Sequence, residues 1–376
     1  MTNTNTFYRD TWAEIDLDAI EYNINQIKEK LPEKTTVVAV VKANAYGHGS
    51  IQVAKKALES GAEALAVALL EEALDLREAS ITAPILVLGR VPASAAAVAA
   101  DNDIALTFFQ KEWLEEVNSL PLTSKLKLHM KWDTGMGRVG IRTPEELKDI
   151  LHALNENQSI YLTGVYTHFA TADEADMTYF YKQKKRFEDM LFLFKELWPH
   201  KVAVHIGNSA SAIRLPNEMY DCVRFGISMY GLYPSGAVKE GKEILLKQAF
   251  SLHSRLIHIK KVPAGESISY GSTYVTEEDE WIGTILIGYG DGWIRKFQGS
   301  SVLVDGKRMP IVGRICMDQT MIRLDKKYLV GTKVTLIGEQ DNARIEMDEI
   351  ADYVETINYE IPCIINQRVP RVYRAT

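Results

Sequence analysis

Lys42 stands directly after Val37-Val38-Ala39-Val40-Val41, an unbroken apolar run that reads as a strand buried on both faces. A small, glycine-punctuated segment with Tyr46, Gly47, His48 and Gly49 follows, and then IQVAKKALES reads as a helix. Where a buried parallel strand stops, desolvation disfavours an ammonium, so a lysine there can serve as a Schiff-base nucleophile or a general base. Other residues that could do chemistry close their own segments: Lys131 and Arg138 in KWDTGMGR, His168 in TGVYTHFATADE, Arg224 in CVRFGISMYG and Tyr270 in SYGSTY. Read by residue type alone, each has a plainer reading. Lys42 and Lys131 are strand-end charges, His168 a satisfied rim histidine, Tyr270 an edge-strand aromatic and Asn208-Ser209-Ala210 a helix cap. Gly135-Met136-Gly137-Arg138-Val139-Gly140 matches GxGxxG after a strand, yet a dinucleotide site wants an acid ending the next strand. That strand ends in His168.

The elements that must position these residues alternate. Strand-like apolar runs fall at 36–41, 63–68, 85–88, 104–108, 126–132, 162–168 and 202–206, with an eighth at 223–226, after a short strand at 8–16. Helical patterns occupy 17–31, 51–60, 70–79, 111–117, 144–154 and 176–197. Repeated strand–helix units imply a parallel sheet, and eight of them fit a closed (β/α)8 barrel better than an open doubly wound sheet. After Leu232 the texture changes. YPSGAVKEGKE reads as a linker, and SLHSRLIHIKKV, WIGTILIGYG, SVLVDGKRMPIVG, MIRLD and KVTLIG read as an all-β region punctuated by Gly-Asp-Gly and Asp-Gly turns. The expected fold is therefore an α/β barrel over residues 1–240, followed by a predominantly β domain over 241–376, with the first dozen residues as a candidate to pair with the β domain.

At 376 residues, 46% hydrophobic and 25% charged, the chain is an ordinary globular protein large enough for two domains. A net charge of −7 argues against nucleic-acid binding, which needs a basic excess. Cys222, Cys316 and Cys363 are an odd, widely spaced set without metal-type spacing, which suits a reducing compartment. MTNTNTFYRD lacks the apolar core of a signal peptide, and no run approaches the ~18 apolar residues of a membrane span. A cytoplasmic protein without a metal site or membrane contact is expected.

VVKANAYGHG resembles, residue for residue, the pyridoxal-phosphate lysine motif of the alanine racemase family, and similar segments run from Ala13-Glu14-Ile15-Asp16 to Tyr359. The resemblance implies pyridoxal 5'-phosphate held on Lys42, with Tyr46, Asn208, Ser209, Gly226, Ile227 and Tyr359 about its phosphate and His168 against its ring. It places Arg224 at the pyridine nitrogen, where most enzymes of this cofactor carry an acid. Arginine stays charged and cannot readily protonate the ring, which limits side reactions. Arg138 would hold the substrate carboxylate, aided by the backbone N–H of Met317 in GRICMD, and Lys131 would be carbamylated to position that arginine. Trp132 stands where the family often has a smaller apolar residue, and Gly290 where alanine is common.

Racemisation needs one base on each face of a planar intermediate, because a group that returns the proton to its own face gives no inversion. The resemblance supplies Lys42 and Tyr270, and a tyrosine acts so only beside cations that favour its phenolate. It also implies a head-to-tail homodimer in which Tyr270, Met317 and the entrance residue Tyr289 enter the partner's site, while Cys316 is a small buried residue. The implied activity interconverts L- and D-alanine, supplying D-alanine for peptidoglycan. A preference for serine or a broader amino-acid range is the first alternative, because a small pocket rejects an added hydroxyl poorly. A barrel-type amino-acid decarboxylase is disfavoured by Arg224, and a cofactor carrier by the β domain.

Overall fold

The computed structural model describes residues 7–154 and 158–375. Residues 1–6 of the segment expected to pair with the β domain lie outside the described residues. Contacts divide the chain into two compact units, one of Ala19–Ala45 with Ser50–Lys247, the other of Met1–Asp18, Tyr46–Gly49 and Gln248–Thr376.

The chain enters on β1 (Thr11–Asp16), a strand of the second unit, and continues into the helix Leu17–Lys30. Eight strands then build the first unit: β2 (Thr36–Val40), β3 (Ala64–Val67), β4 (Ile85–Arg90), β5 (Ile104–Phe108), β6 (Leu126–Lys131), β7 (Ile160–Tyr166), β8 (Ala203–His205) and β9 (Cys222–Phe225). All pair in parallel, in the order β8-β7-β6-β5-β4-β3-β2-β9. A bridge between Gly207 and Val223, with Arg224 N–H donating to the Gly207 carbonyl at 3.0 Å, brings the ends of β8 and β9 together. The result is the expected (β/α)8 barrel. β5 is buried at every residue and β2 at all but its first, as a strand walled by sheet interior and helices must be.

Most intervening helices fall where apolar periodicity places them, among them Ser50–Glu59, Leu70–Glu78, Lys111–Asn118, Pro144–Leu154 and Thr178–Leu197. Ala96–Asp101 was not expected, because AAVAAD offers no polar face to reveal a period. The segment read as a linker contains a helical turn, Gly236–Glu240, capped by Ser235 Oγ accepting from Val238 N–H.

The second unit is sheet-rich. Its longest strand, β10 (Phe250–Val262), pairs antiparallel with β1. A small hairpin, β11 (Ser267–Ile268) with β12 (Tyr274–Val275), carries the Tyr270 turn. β13 (Glu280–Ile285) pairs with β10 and with β16 (Thr320–Leu324), after the hairpin β14 (Ser301–Val304) and β15 (Lys307–Pro310). Asp305 and Gly306 join that hairpin with φ of 47° and 70°, as a two-residue turn of the Asp-Gly type requires. β17 (Lys333–Gln340), β18 (Ala343–Ile345) and β19 (Arg371–Arg374) complete the set, β19 lying parallel to β1. WIGTILIGYG is strand only to Ile285. Tyr289–Asp291 is a 3-10 turn in which Asp291 accepts from Gly288 N–H at 3.0 Å. Two helices, Met347–Tyr353 and Glu360–Ile364, also stand in a region read as all-β.

Candidate active site at the barrel mouth

β2 delivers Lys42 to the C-terminal end of the barrel, the end at which barrel enzymes place their chemistry. The chain then does something the sequence did not disclose. Ala43, Asn44 and Ala45 have φ/ψ of 51°/51°, 53°/47° and 53°/53°, and Tyr46 has φ of 51°. This is a left-handed turn of four L-residues, each disfavoured by roughly 1–2 kcal/mol. Hydrogen bonds hold it there. Ala43 N–H donates to Glu72 Oε1 at 2.5 Å, and Glu72 Oε2 accepts from Ala68 and Leu69 N–H at 2.8 and 3.1 Å. Ser50 N–H donates to Asn44 Oδ1 at 2.9 Å. Strain stored and over-determined beside a reactive residue is characteristic of functional sites.

Lys131 ends β6 and is buried. Burial, then Arg138 and Arg224, bring its ammonium down to about 8, and Lys42 acts in the same direction. The same four cationic side chains hold His168 well below its ordinary range, after burial itself. Lys42, Lys131, Arg138 and Arg224 therefore all lie within electrostatic reach of His168, and among the described residues Asp133 is the one carboxylate that opposes them at Lys131. Asp133 has another task. Its Oδ1 accepts from Gly135 and Gly137 N–H at 3.0 and 2.9 Å, shaping the loop that carries the exposed Arg138. Trp132 is fully buried against Phe187 and Phe194, at ring-centre distances of 5.1 and 5.7 Å, so its extra bulk packs behind the loop.

Arg224 lies buried on β9. Its Nη1 donates to His205 Nδ1 at 2.7 Å and to the His205 carbonyl at 3.3 Å. Its Nη2 donates to the Thr167 carbonyl at 2.8 Å, to His168 Nδ1 at 3.2 Å and to the Ile206 carbonyl at 3.4 Å. Every acceptor is neutral, and among the described residues these contacts leave the Nε–H without a partner of its own. His168 and Arg224 are thus brought together as expected.

Asn208 caps the helix Ser209–Arg214, its Oδ1 accepting from Ser211 N–H at 3.0 Å. Gly226 N–H donates to Ser209 Oγ at 3.0 Å, which leaves that hydroxyl its own proton to donate. Ser228, just past Ile227, is fully buried with no protein partner for its Oγ among the described residues. A multiply anionic, phosphate-bearing group fits this donor set. Four cations with little acid opposite them, an uncommitted arginine N–H and buried hydroxyls beside a helix start all favour negative charge. Pyridoxal phosphate has those properties.

The remaining expected residues belong to the sheet-rich unit. Tyr46 and Tyr359 have ring centres 6.3 Å apart, and burial raises the Tyr46 phenol. Tyr270 is 71% exposed and Met317 53%. Tyr270, Tyr289, Arg295, Arg314 and Ile315 line a cavity of about 400 Å³. Ser269 has φ 68° and ψ −175°, a conformation nearly restricted to glycine, and its Oγ donates to the Arg314 carbonyl at 2.6 Å. Cys316, expected to be buried, is half-buried with Sγ 3.5 Å from Ser269 Oγ. A Cβ at Gly290 would meet the far end of the Arg368 side chain and lie 3.0 Å from the Met317 carbonyl. Sequence reading missed Glu72, Asp133, His129 and His205. The signal for Glu72 was its place three residues into a helix, where a carboxylate caps backbone N–H groups.

A (β/α)8 barrel with a lysine at a strand end and a cationic mouth defines an enzyme built around an anionic cofactor. Comparison with known proteins makes this specific. Residues 15–234 match the alanine racemase N-terminal domain and residues 249–373 the C-terminal domain. The chain is 56% identical over 370 residues to an alanine racemase of Anoxybacillus flavithermus, covering 98% of this chain and 95% of that one. It is 54% identical over 372 residues, with the same coverage, to that of Geobacillus stearothermophilus. The crystal structure of alanine racemase from Bacillus anthracis with bound L-Ala-P superposes with a TM-score of 0.96 at 52% identity, covering 98% of this chain and 96% of that one. The chain belongs to the alanine racemase family, whose members are pyridoxal-phosphate-dependent isomerases.

Proposed function

We propose that this chain interconverts L- and D-alanine by a two-base mechanism in which Lys42 and Tyr270 exchange the α-proton on opposite faces of the substrate. The observation that carries the reading is the convergence of Lys42, Lys131, Arg138 and Arg224 on His168 at the barrel mouth, with Arg224 held by neutral partners only. Pyridoxal phosphate, when bound, delocalises the electron pair left at Cα as the proton departs.

The chain's own residues do the rest. Lys42 holds the cofactor and, once released by substrate, takes the proton from D-alanine or returns it there. Tyr270 does the same for L-alanine. Ser209, Gly226 and Ile227, with Tyr46, Tyr359 and the helix start that Asn208 caps, receive the phosphate. His168 would support the ring, and Arg224 would offer an N–H to its nitrogen without giving up a proton. Arg138 and the Met317 N–H hold the substrate carboxylate. A lysine brought down to about 8 has a far larger neutral fraction near neutral pH than an ordinary lysine, and only a neutral amine reacts with carbon dioxide. The carbamate on Lys131 would then be an anion among the cations that disfavour its ammonium, anchoring Arg138.

The exposure of Tyr270 and Met317 in the single chain supports a homodimer in which the partner's copies complete each site. Among the described residues no helix is long and apolar enough to cross a membrane, which agrees with a cytoplasmic role in supplying D-alanine for peptidoglycan. The test is chiral analysis of L-alanine after incubation with cofactor-loaded protein, with L-serine in parallel. D-Alanine should form faster than D-serine. Bound cofactor without D-alanine would refute the reading, and faster D-serine would reassign the substrate.

A further inference from the structure

Inside the barrel, two histidines that no catalytic reading requires form a line with Arg224. His129 Nδ1 lies 2.9 Å from His205 Nε2, and His205 Nδ1 lies 2.7 Å from Arg224 Nη1. An arginine can only donate, so His205 Nδ1 must be a bare acceptor and its proton must sit on Nε2. That proton points at His129 Nδ1, which must be bare in turn, leaving the His129 proton on Nε2. Both rings are neutral. Burial, then Arg224, hold His129 at about 4 and His205 well below its ordinary range.

The fold is shaped to admit this line. The pairing of β6 with β7 slips in register between Leu128 and His129 and sets His129 opposite Gly164. A Cβ on Gly164 would run into the His129 ring. The His205 ring stacks on Tyr166 at 4.6 Å and 6°, and the Arg224 guanidinium lies 5.1 Å from the same ring. Tyr166 is tied to Thr107 at 2.9 Å. A bulge and an absent side chain are devices for placing one ring, and a residue that merely filled space would not need both.

We propose that His129 is a positioning residue. By accepting from His205 Nε2 it fixes the tautomer of His205, keeps Nδ1 bare, and so holds the Arg224 guanidinium in the one orientation in which Nη1 and Nη2 keep these acceptors. If His205 took the other tautomer, two donors would face each other and Arg224 would have to turn. The tautomer chain stands on this geometry alone, whereas its consequence for the cofactor rests on the assignment of Arg224 above.

The test is nitrogen-15 NMR of histidine-labelled protein, first without cofactor. Both His129 and His205 should show a protonated Nε2 and a bare Nδ1, and a protonated Nδ1 on His205 would overturn the proposal whatever the enzyme's activity. His129→Leu should shift His205 toward the Nδ1-protonated form and weaken pyridoxal phosphate binding about tenfold, the equivalent of one hydrogen bond to a charged group. His129→Gln keeps an acceptor and should restore both. A folded His129→Leu protein with the wild-type His205 tautomer would refute the proposal. Should the leucine variant not fold, the wild-type tautomers and the glutamine variant still decide. A shifted tautomer with unchanged cofactor binding would leave the chain intact and overturn instead the assignment of Arg224 to the ring.

Discussion

The barrel mouth and the Tyr270 turn both carry residues assigned to proton transfer, but they are built in opposite ways. At the mouth, Lys131 and Arg224 are buried and Arg224 is bonded through both terminal nitrogens. The strained turn after Lys42 is pinned by Glu72 and Asn44. The Tyr270 side chain is 71% exposed and is carried by a hairpin of two-residue strands whose strain includes Ser269. One region is finished within a single chain. The other presents its functional side chain outward, as expected if a second copy must cover it. Pre-organisation thus concentrates at the barrel mouth.

The largest effects should separate the two regions by signature. Lys42→Ala should lower turnover more than about a thousandfold, since it removes both a nucleophile and a base, and the visible absorption of lysine-bound cofactor should vanish. Tyr270→Phe should lose a comparable factor with that absorption intact. Chiral chromatography and a spectrum of each variant suffice. Loss of the visible band in Tyr270→Phe, or its survival in Lys42→Ala, would break the comparison.

Next comes the support of the strained turn. Glu72→Ala leaves the N–H groups of Ala43, Ala68 and Leu69 without their acceptor, and should cost about 3 kcal/mol in urea unfolding. Activity should fall with it, because the turn directly follows Lys42. A variant as stable as the parent would show that the turn holds itself.

Lys131 provides a pH test. Its folded value of about 8 lies below the ordinary 10.5, so folding releases its proton between those values and, without carbon dioxide, stability should rise with pH from about 8 to 10.5. Below 8 both states are protonated and the penalty is fully present. With carbon-13-labelled carbon dioxide, a carbamate signal absent from Lys131→Ala should grow from pH 6 to pH 8 as the amine is freed. A flat response would remove Lys131 from the anchoring of Arg138.

How much of this was legible in the sequence follows the same division. The β-branched run ending in Lys42 and the strand-like runs ending in Lys131 and His168 announced a barrel and its mouth, the first because burial on both faces leaves a continuous apolar signature. Arg224 stood out for its chemistry once the resemblance was recognised. The left-handed turn was silent, since nothing in Lys-Ala-Asn-Ala-Tyr marks it and the bonds to Glu72 and Ser50 that help hold it inverted come from outside that segment. His129 and His205 were silent too, since a histidine in a strand has no partner until the β6–β7 register slip and Gly164 make room for one. The helix Met347–Tyr353 was hidden among short strands in a region whose alternation had been read as sheet throughout.

The smallest predicted effect sharpens the contrast most. Ser269 holds a conformation that costs a non-glycine residue about 1–3 kcal/mol, and it offsets part of this by donating to the Arg314 carbonyl. Ser269→Gly removes both the strain and the bond, so stability should change little or rise by about 1 kcal/mol. Ser269→Ala keeps the strain, loses the bond, and should be less stable than glycine. If the strained hydroxyl serves only the hairpin, the glycine variant should racemise as well as the parent. If it orients Tyr270, the glycine variant should be the more stable and the slower, with kcat reduced several-fold at unchanged KM and the visible band of the cofactor untouched. The second outcome is the one expected, because Arg314 sits over this same turn, its Nη1 2.8 Å from where a side chain on Gly271 would begin. Stability gained with turnover lost would place in Ser269 a small, exposed counterpart of the strain that Glu72 supports beside Lys42.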